Sequence, residues 1–161
     1  MENIEFKVCG RVIIGTTVSK GELFTAKASL MPGDTFSELI GKQLVKYRLE
    51  VLQRRRDLES TNEVIETLKD IIETNEYNVY HRFIMPSQVS KHWMRFNQEA
   101  CEERKSQLEN IAFAETMIDV LSKSEGNFEK MHALVDAGKG SETRKEHLHR
   151  EIDAIAGGFS K

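Results

Sequence analysis

Two short stretches of this 161-residue chain carry the side chains best suited to holding a ligand. The first supplies Arg48, Arg54, Arg55 and Arg56; the second supplies Tyr80, Arg82, Phe83, Lys91, Trp93, Arg95 and Asn97. Guanidinium forks grip phosphate oxygens in pairs, aromatic faces stack on bases, and an asparagine amide can read a base edge. Such a set points to binding of a flat, anionic, nucleotide-like molecule. The same residues have a plainer use, with Trp93 and Phe96 anchoring a core while the arginines solvate a helix or pair with acids. On a helix, Arg54, Arg55 and Arg56 point in three directions, so one pocket cannot take all three.

Catalytic signatures are missing from the sequence. No P-loop, no G-x-G-x-x-G after a strand and no G-x-S-x-G elbow occurs. His81, His92, His132, His147 and His149 do not form the i, i+4 pair with a glutamate that a zinc protease needs. His147 and His149 are two apart and face different sides of a helix, so they read as surface histidines rather than as a metal pair. Carboxylates fall mostly at solvent-facing helical positions, where a solvated face accounts for them. The expectation is a binding protein without catalytic residues, bound metal or cofactor, and not an enzyme.

The elements that must position these residues follow from periodicity. Val, Ile, Thr and Phe between Ile4 and Ser29, punctuated by Gly15 and Gly21, predict strands at about 5–14 and 22–29, joined by a turn at Ser19-Lys20-Gly21. A lone hairpin is only marginally stable, so it must lie on helices or extend a partner's sheet, which points to a homodimer or higher homo-oligomer. Thr35 as N-cap with Glu38 three residues on predicts the start of a first helix. A seven-residue spacing then lines up Leu44, Val51, Leu58, Ile65 and Ile72, with Ile40, Tyr47, Arg54, Thr61 and Leu68 beside them. Arg54 stands out in that seam, because a charge there must be paired, reach out to water or face a ligand. Gly41, unfavourable inside a helix by about 1 kcal/mol against alanine, predicts a close approach of another backbone.

Residues 77–85 read as strand or ordered loop, and a second helix begins near Ser87 and runs to about Lys123, antiparallel to the first. Gly126 and Asn127 break it. A short amphipathic helix then ends at Gly138, and a last one follows Ser141 and stops at Gly157-Gly158. The fold class is therefore α+β and mainly α: an N-terminal antiparallel β-hairpin or meander, two long antiparallel helices and short C-terminal helices. Residues 1–123 form the β-unit and helical hairpin, and residues 124–161 extend the same domain.

Charge is polarised along the first helix. Lys42 to Arg56 holds six basic residues against Glu50, while Asp57 to Glu76 holds seven acids against Lys69. Such a helix can pair with an antiparallel copy of itself or gather an anionic ligand at its basic end. The adjoining acids make nucleic acid the least supported partner. The N-terminus lacks a signal-peptide pattern and no apolar run approaches a membrane span, so a cytoplasmic protein with no membrane partner is expected. Cys9 and Cys101 are far apart and form no C-x-x-C motif, which argues for reduced thiols.

Ala26-Lys27-Ala28, Pro32, Asp34, Phe36, Gly41, Leu44 and Arg48 form a strand-to-helix junction that resembles one in small phage-encoded proteins, most closely the Thoeris anti-defence protein family. The resemblance spans about residues 7–76 in organisation, and Arg48 alone of the candidate ligand residues lies within it. It implies an N-terminal antiparallel sheet with long helices, assembly as dimers or higher oligomers, and sequestration of cyclic ADP-ribose-type immune signals without cleavage. It also implies action in the host cytoplasm. Residues 124–161 depart from the compact family pattern. A second expectation, from the coiled-coil seam and the strands, is a helical adaptor or inhibitor of a host protein.

Overall fold

The computed structural model of the chain describes residues 3–29, 37–80 and 87–159. Three strands come first: β1 (Glu5–Cys9), β2 (Val12–Ser19) and β3 (Glu22–Ser29), in a sheet of order β1-β2-β3. Four helices follow: α1 (Glu38–Tyr80), α2 (Ser87–Lys123), α3 (Phe128–Ala137) and α4 (Glu142–Phe159). The α+β, mainly helical architecture read from the sequence is the observed one.

Both strand pairs are antiparallel hairpins with two-residue loops. Cys9 pairs with Val12 across Gly10-Arg11, and Ser19 pairs with Glu22 across Lys20-Gly21. Gly10 takes φ +60° at the first loop position, where a type II′ turn calls for glycine, while Lys20 and Gly21 take +51° and +81°, as a type I′ turn requires. The single strand expected at 5–14 is therefore two strands, because Gly10 turns the chain. Gly15 lies inside β2, and its role is steric. A Cβ there would overlap Val45 Cγ1 and touch Ile4 and Leu49 at 3.4 Å each.

One face of the sheet rests on α1. Ile13, Ala26 and Ala28 are buried against Val45 and Leu49, with Ile4, Phe24 and Leu44 packed around them. Gly41, Val45 and Leu49 repeat every four residues, the row that presents one face of a helix. The close approach at Gly41 comes from the Ile13 side chain, since a Cβ at Gly41 would lie 2.5 Å from Ile13 Cδ1. The helix starts at Glu38, and Ser37 caps it. Its Oγ accepts from Ile40 N at 3.3 Å and its carbonyl from Gly41 N at 2.9 Å. Thr35, the cap expected from sequence, lies outside the described residues.

The chain divides into two compact units. Unit 1 comprises Met1–Gln53 with Ala112–Lys161, and unit 2 comprises Arg54–Ile111. Residues 124–161 thus fold in the same unit as the sheet. There α4 is tied to α1 by Tyr47, whose hydroxyl donates to Glu151 Oε1 at 2.7 Å, and to α2 by Arg144, whose guanidinium donates to Ala112 O and Thr116 Oγ1, each at 2.8 Å. Met117, Leu121, Met131, Val135, Leu148 and Ile152 fill the interior of this helical part. Asn127 caps α3 by accepting from Lys130 N at 3.0 Å, after Glu125 and Gly126 turn through positive φ. Helix α4 continues through Gly157 and Gly158 to Phe159, so that glycine pair does not stop it.

Tyr47 supports a pH prediction. Burial first, then its hydrogen bond to Glu151 and the charges of Glu151 and Glu50, hold its hydroxyl well above the usual tyrosine range. The fold thus favours the neutral phenol. Its contribution is fully present below the unfolded tyrosine value of about 10 and is lost as pH rises above it. In an ultraviolet titration one of the three tyrosines is expected to ionise only as the protein unfolds in alkali. Tyr47→Phe removes that lagging phase.

Candidate functional site

In unit 2 the two long helices run antiparallel. Gln107 Nε2 donates to Thr61 Oγ1 at 3.1 Å and to Glu103 Oε1 at 3.0 Å, which explains the hydroxyl in the otherwise apolar seam. Ile65 and Leu68 on α1 and Ile111 on α2 are buried, as the heptad spacing predicts for Ile65 and Leu68.

At the start of α2 the aromatic residues cluster. His92 and Phe96 meet edge to face with centroids 4.5 Å apart, and Trp93 lies 6.2 Å from Phe96. Trp93, Asn97 and Ala100 form a half-buried row at the i, i+4, i+7 spacing of one helix face. Asn97 Oδ1 is shielded from solvent and, among the described residues, accepts no hydrogen bond. A buried amide oxygen left in that state costs about 1–3 kcal/mol. A bound donor, such as an exocyclic base amine, would satisfy it, and Trp93 offers a ring one turn earlier on the same helix face.

The other candidate residues fall elsewhere. Arg48, in unit 1, donates from Nη1 to the carbonyl of Lys27 and so clips α1 to β3. Arg54 is half-buried and Arg55 exposed, and both are engaged within the fold. Arg56 donates to Glu59 Oε2 at 3.2 Å. Arg95 points outward, its side chain 79% exposed, and donates to Glu99 Oε1 at 2.8 Å. Arg82 and Phe83 lie outside the described residues, as does the side chain of Tyr80, whose backbone ends α1. The strand or loop expected from residue 77 is helix as far as Tyr80.

With Thr61 opposite Gln107, Arg54 lies seven residues toward one end of the hairpin and Trp93 fourteen toward the other. At about 1.5 Å per residue, roughly 30 Å separates them. A small ligand cannot touch both in one protomer. The structure therefore brings Trp93 and Asn97 together and holds Arg54 and Arg55 apart from them.

The contact of His132 with His149 is hidden from a reading of single helices, because the two histidines stand on different ones. The available signal was a spacing used twice: His132 and Asp136 are four apart on α3, as are His149 and Asp153 on α4. Among the described residues no group of three or more His, Cys, Asp or Glu is placed to hold a metal ion, and no helix is long and apolar enough to cross a membrane. No family model matches the chain, and neither does any curated protein or solved structure.

Proposed function

We propose that this chain is a non-enzymatic phage immune-evasion protein that binds and sequesters a cyclic ADP-ribose-type or related cyclic nucleotide signal. The observation that carries the reading is the unsatisfied Asn97 Oδ1 one helical turn beyond Trp93 on the same face, an arrangement suited to a stacked base with an amino group. The separation of this cluster from Arg54 and Arg55 supports a site shared between two protomers, in which a basic α1 segment from one copy meets the aromatic cluster of the other. Affinity without turnover then comes from side chains already ordered on helices. Mass spectrometry of material released from the purified protein on heat denaturation is expected to show a cyclic nucleotide.

A second reading, a helical adaptor that adds a strand to a host protein, draws on the sheet. Val18 and Leu23 pair across β2 and β3 with 55% and 70% exposure, and β1 and β3 are edge strands. A stoichiometric host protein retained through high salt, with no small molecule released, would favour it.

A further inference from the structure

Between α3 and α4 four titratable side chains stand in a row. His132 Nδ1 is 2.6 Å from His149 Nδ1, His149 Nε2 is 2.9 Å from Asp136 Oδ1, and His132 Nε2 is 3.2 Å from Asp153 Oδ1. The order is Asp136, His149, His132, Asp153, alternating between helices. Each helix contributes one His-x-x-x-Asp pair, and antiparallel packing sets each histidine against the other helix's aspartate. Both imidazoles are partly buried, and both carboxylates are largely exposed.

The ring geometry decides what lies between the nitrogens. The rings are inclined by only 18°, with centroids 4.9 Å apart. That separation is what a 2.6 Å nitrogen contact and two ring radii give when laid end to end. The rings therefore meet head-on in nearly one plane, each Nδ1 lone-pair direction aimed at the other, and do not overlap face to face. A metal held head-on would keep the nitrogens about 4 Å apart, since each zinc–nitrogen bond is about 2.0–2.1 Å. The gap suits a proton.

Three contacts need three protons, and ionised aspartates supply none. Two neutral imidazoles carry two, leaving one contact as opposed lone pairs. Two imidazolium rings carry four, setting two Nδ1–H groups against each other. We propose that His132 and His149 share a single proton, forming an imidazole–imidazolium staple that holds α4 on α3 within a window of pH and releases it on either side. Lys145 of α4 also meets the row, donating to Asp136 O at 3.1 Å and lying 4.0 Å from Glu142.

The sign differs on the two sides of the window. Above it the folded pair holds a proton that the unfolded chain has released, so stability falls as pH rises. Below it the unfolded chain binds two protons where the folded pair admits one, so stability falls as pH falls. Both limbs belong to the pair and not to either ring, and the range to scan is about pH 5–8, over which histidines in general change charge.

Denaturant unfolding of the full chain across that range, compared with His132→Gln and His149→Gln, tests the staple. Relative to either variant, the wild-type unfolding constant is expected to pass through a minimum and rise by about tenfold on each side, the scale of one charge-assisted hydrogen bond. Should the variants fail to fold, ring-nitrogen spectra of the wild type still decide. A shared proton gives both Nδ1 atoms shifts between the free and protonated values, changing together with pH. Independent titration of the two rings, a pH profile identical in wild type and variants, or movement of both ring signals on stoichiometric zinc would overturn the proposal.

Discussion

Gly15→Ala is expected to destabilise unit 1 by about 2 kcal/mol, because the added methyl group has no room. Its Cβ would overlap Val45 Cγ1, and Val45 is wholly buried between the sheet and α1, so it cannot swing into solvent. Replacing glycine in a strand otherwise gains about 0.5–1 kcal/mol of backbone entropy, which offsets part of the cost. The proof is a double-mutant cycle. Val45→Ala alone leaves a cavity, yet combined with Gly15→Ala it removes the overlap, so the pair should be more stable than the sum of the singles by about 1 kcal/mol or more. Gly41→Ala is the control. Ile13 is as buried as Val45, but the close contact is with its terminal Cδ1, which a χ2 adjustment can move, and alanine is favoured in a helix by about 1 kcal/mol, so the net cost should be smaller than that of Gly15→Ala. Urea unfolding of the four proteins of the cycle, with Gly41→Ala beside them, checks all of this.

If the proposed sequestration holds, Trp93→Ala is expected to weaken binding of a cyclic nucleotide by roughly 5- to 150-fold, the equivalent of the 1–3 kcal/mol that one base–aromatic stack contributes. Trp93 lies in the row with Asn97, whose buried oxygen asks for a donor, so loss of the indole removes the surface that would align the base with it. Arg95→Ala should do much less. That guanidinium is exposed and already held by Glu99 one turn on, as an ordinary surface ion pair. Equal losses for the two variants would mean that the ligand is held by charge alone.

The candidate site also shows how far sequence carries. Trp93 and Asn97 were legible by type alone, an indole to stack and an amide to hydrogen-bond, and the start of α2 at Ser87 followed from Pro86 and the apolar pattern. Arg54 was legible as an anomaly of the seam, but its distance from Trp93 was not, since that depends on which turns of two antiparallel helices lie opposite. Arg48 illustrates the same gap. Its type fits phosphate binding, whereas its hydrogen bond to Lys27 O makes it part of the junction between β3 and α1.

Architecture was more accessible than contacts. Hairpin chemistry is readable at Lys20-Gly21, while the turn at Gly10 is hidden by the apolar residues that continue on both sides of it. The seam through Ile65 and Leu68 followed the heptad, but in its first turns α1 buries a second row, Val45 and Leu49, against the sheet. A helix covered on two sides has no single apolar stripe, so a seven-residue count captures only one of its faces. The histidine pair escaped for a related reason: each His-x-x-x-Asp spacing is unremarkable alone and gains meaning only when α3 and α4 pack antiparallel.

Calorimetric titration of the purified protein with cyclic ADP-ribose isomers and with cyclic dinucleotides tests the sequestration reading most directly. At micromolar protein, saturable heat with at least one of them and recovery of the ligand intact are expected. Absence of heat with every one of these compounds, in protein first freed of any bound ligand, would contradict it.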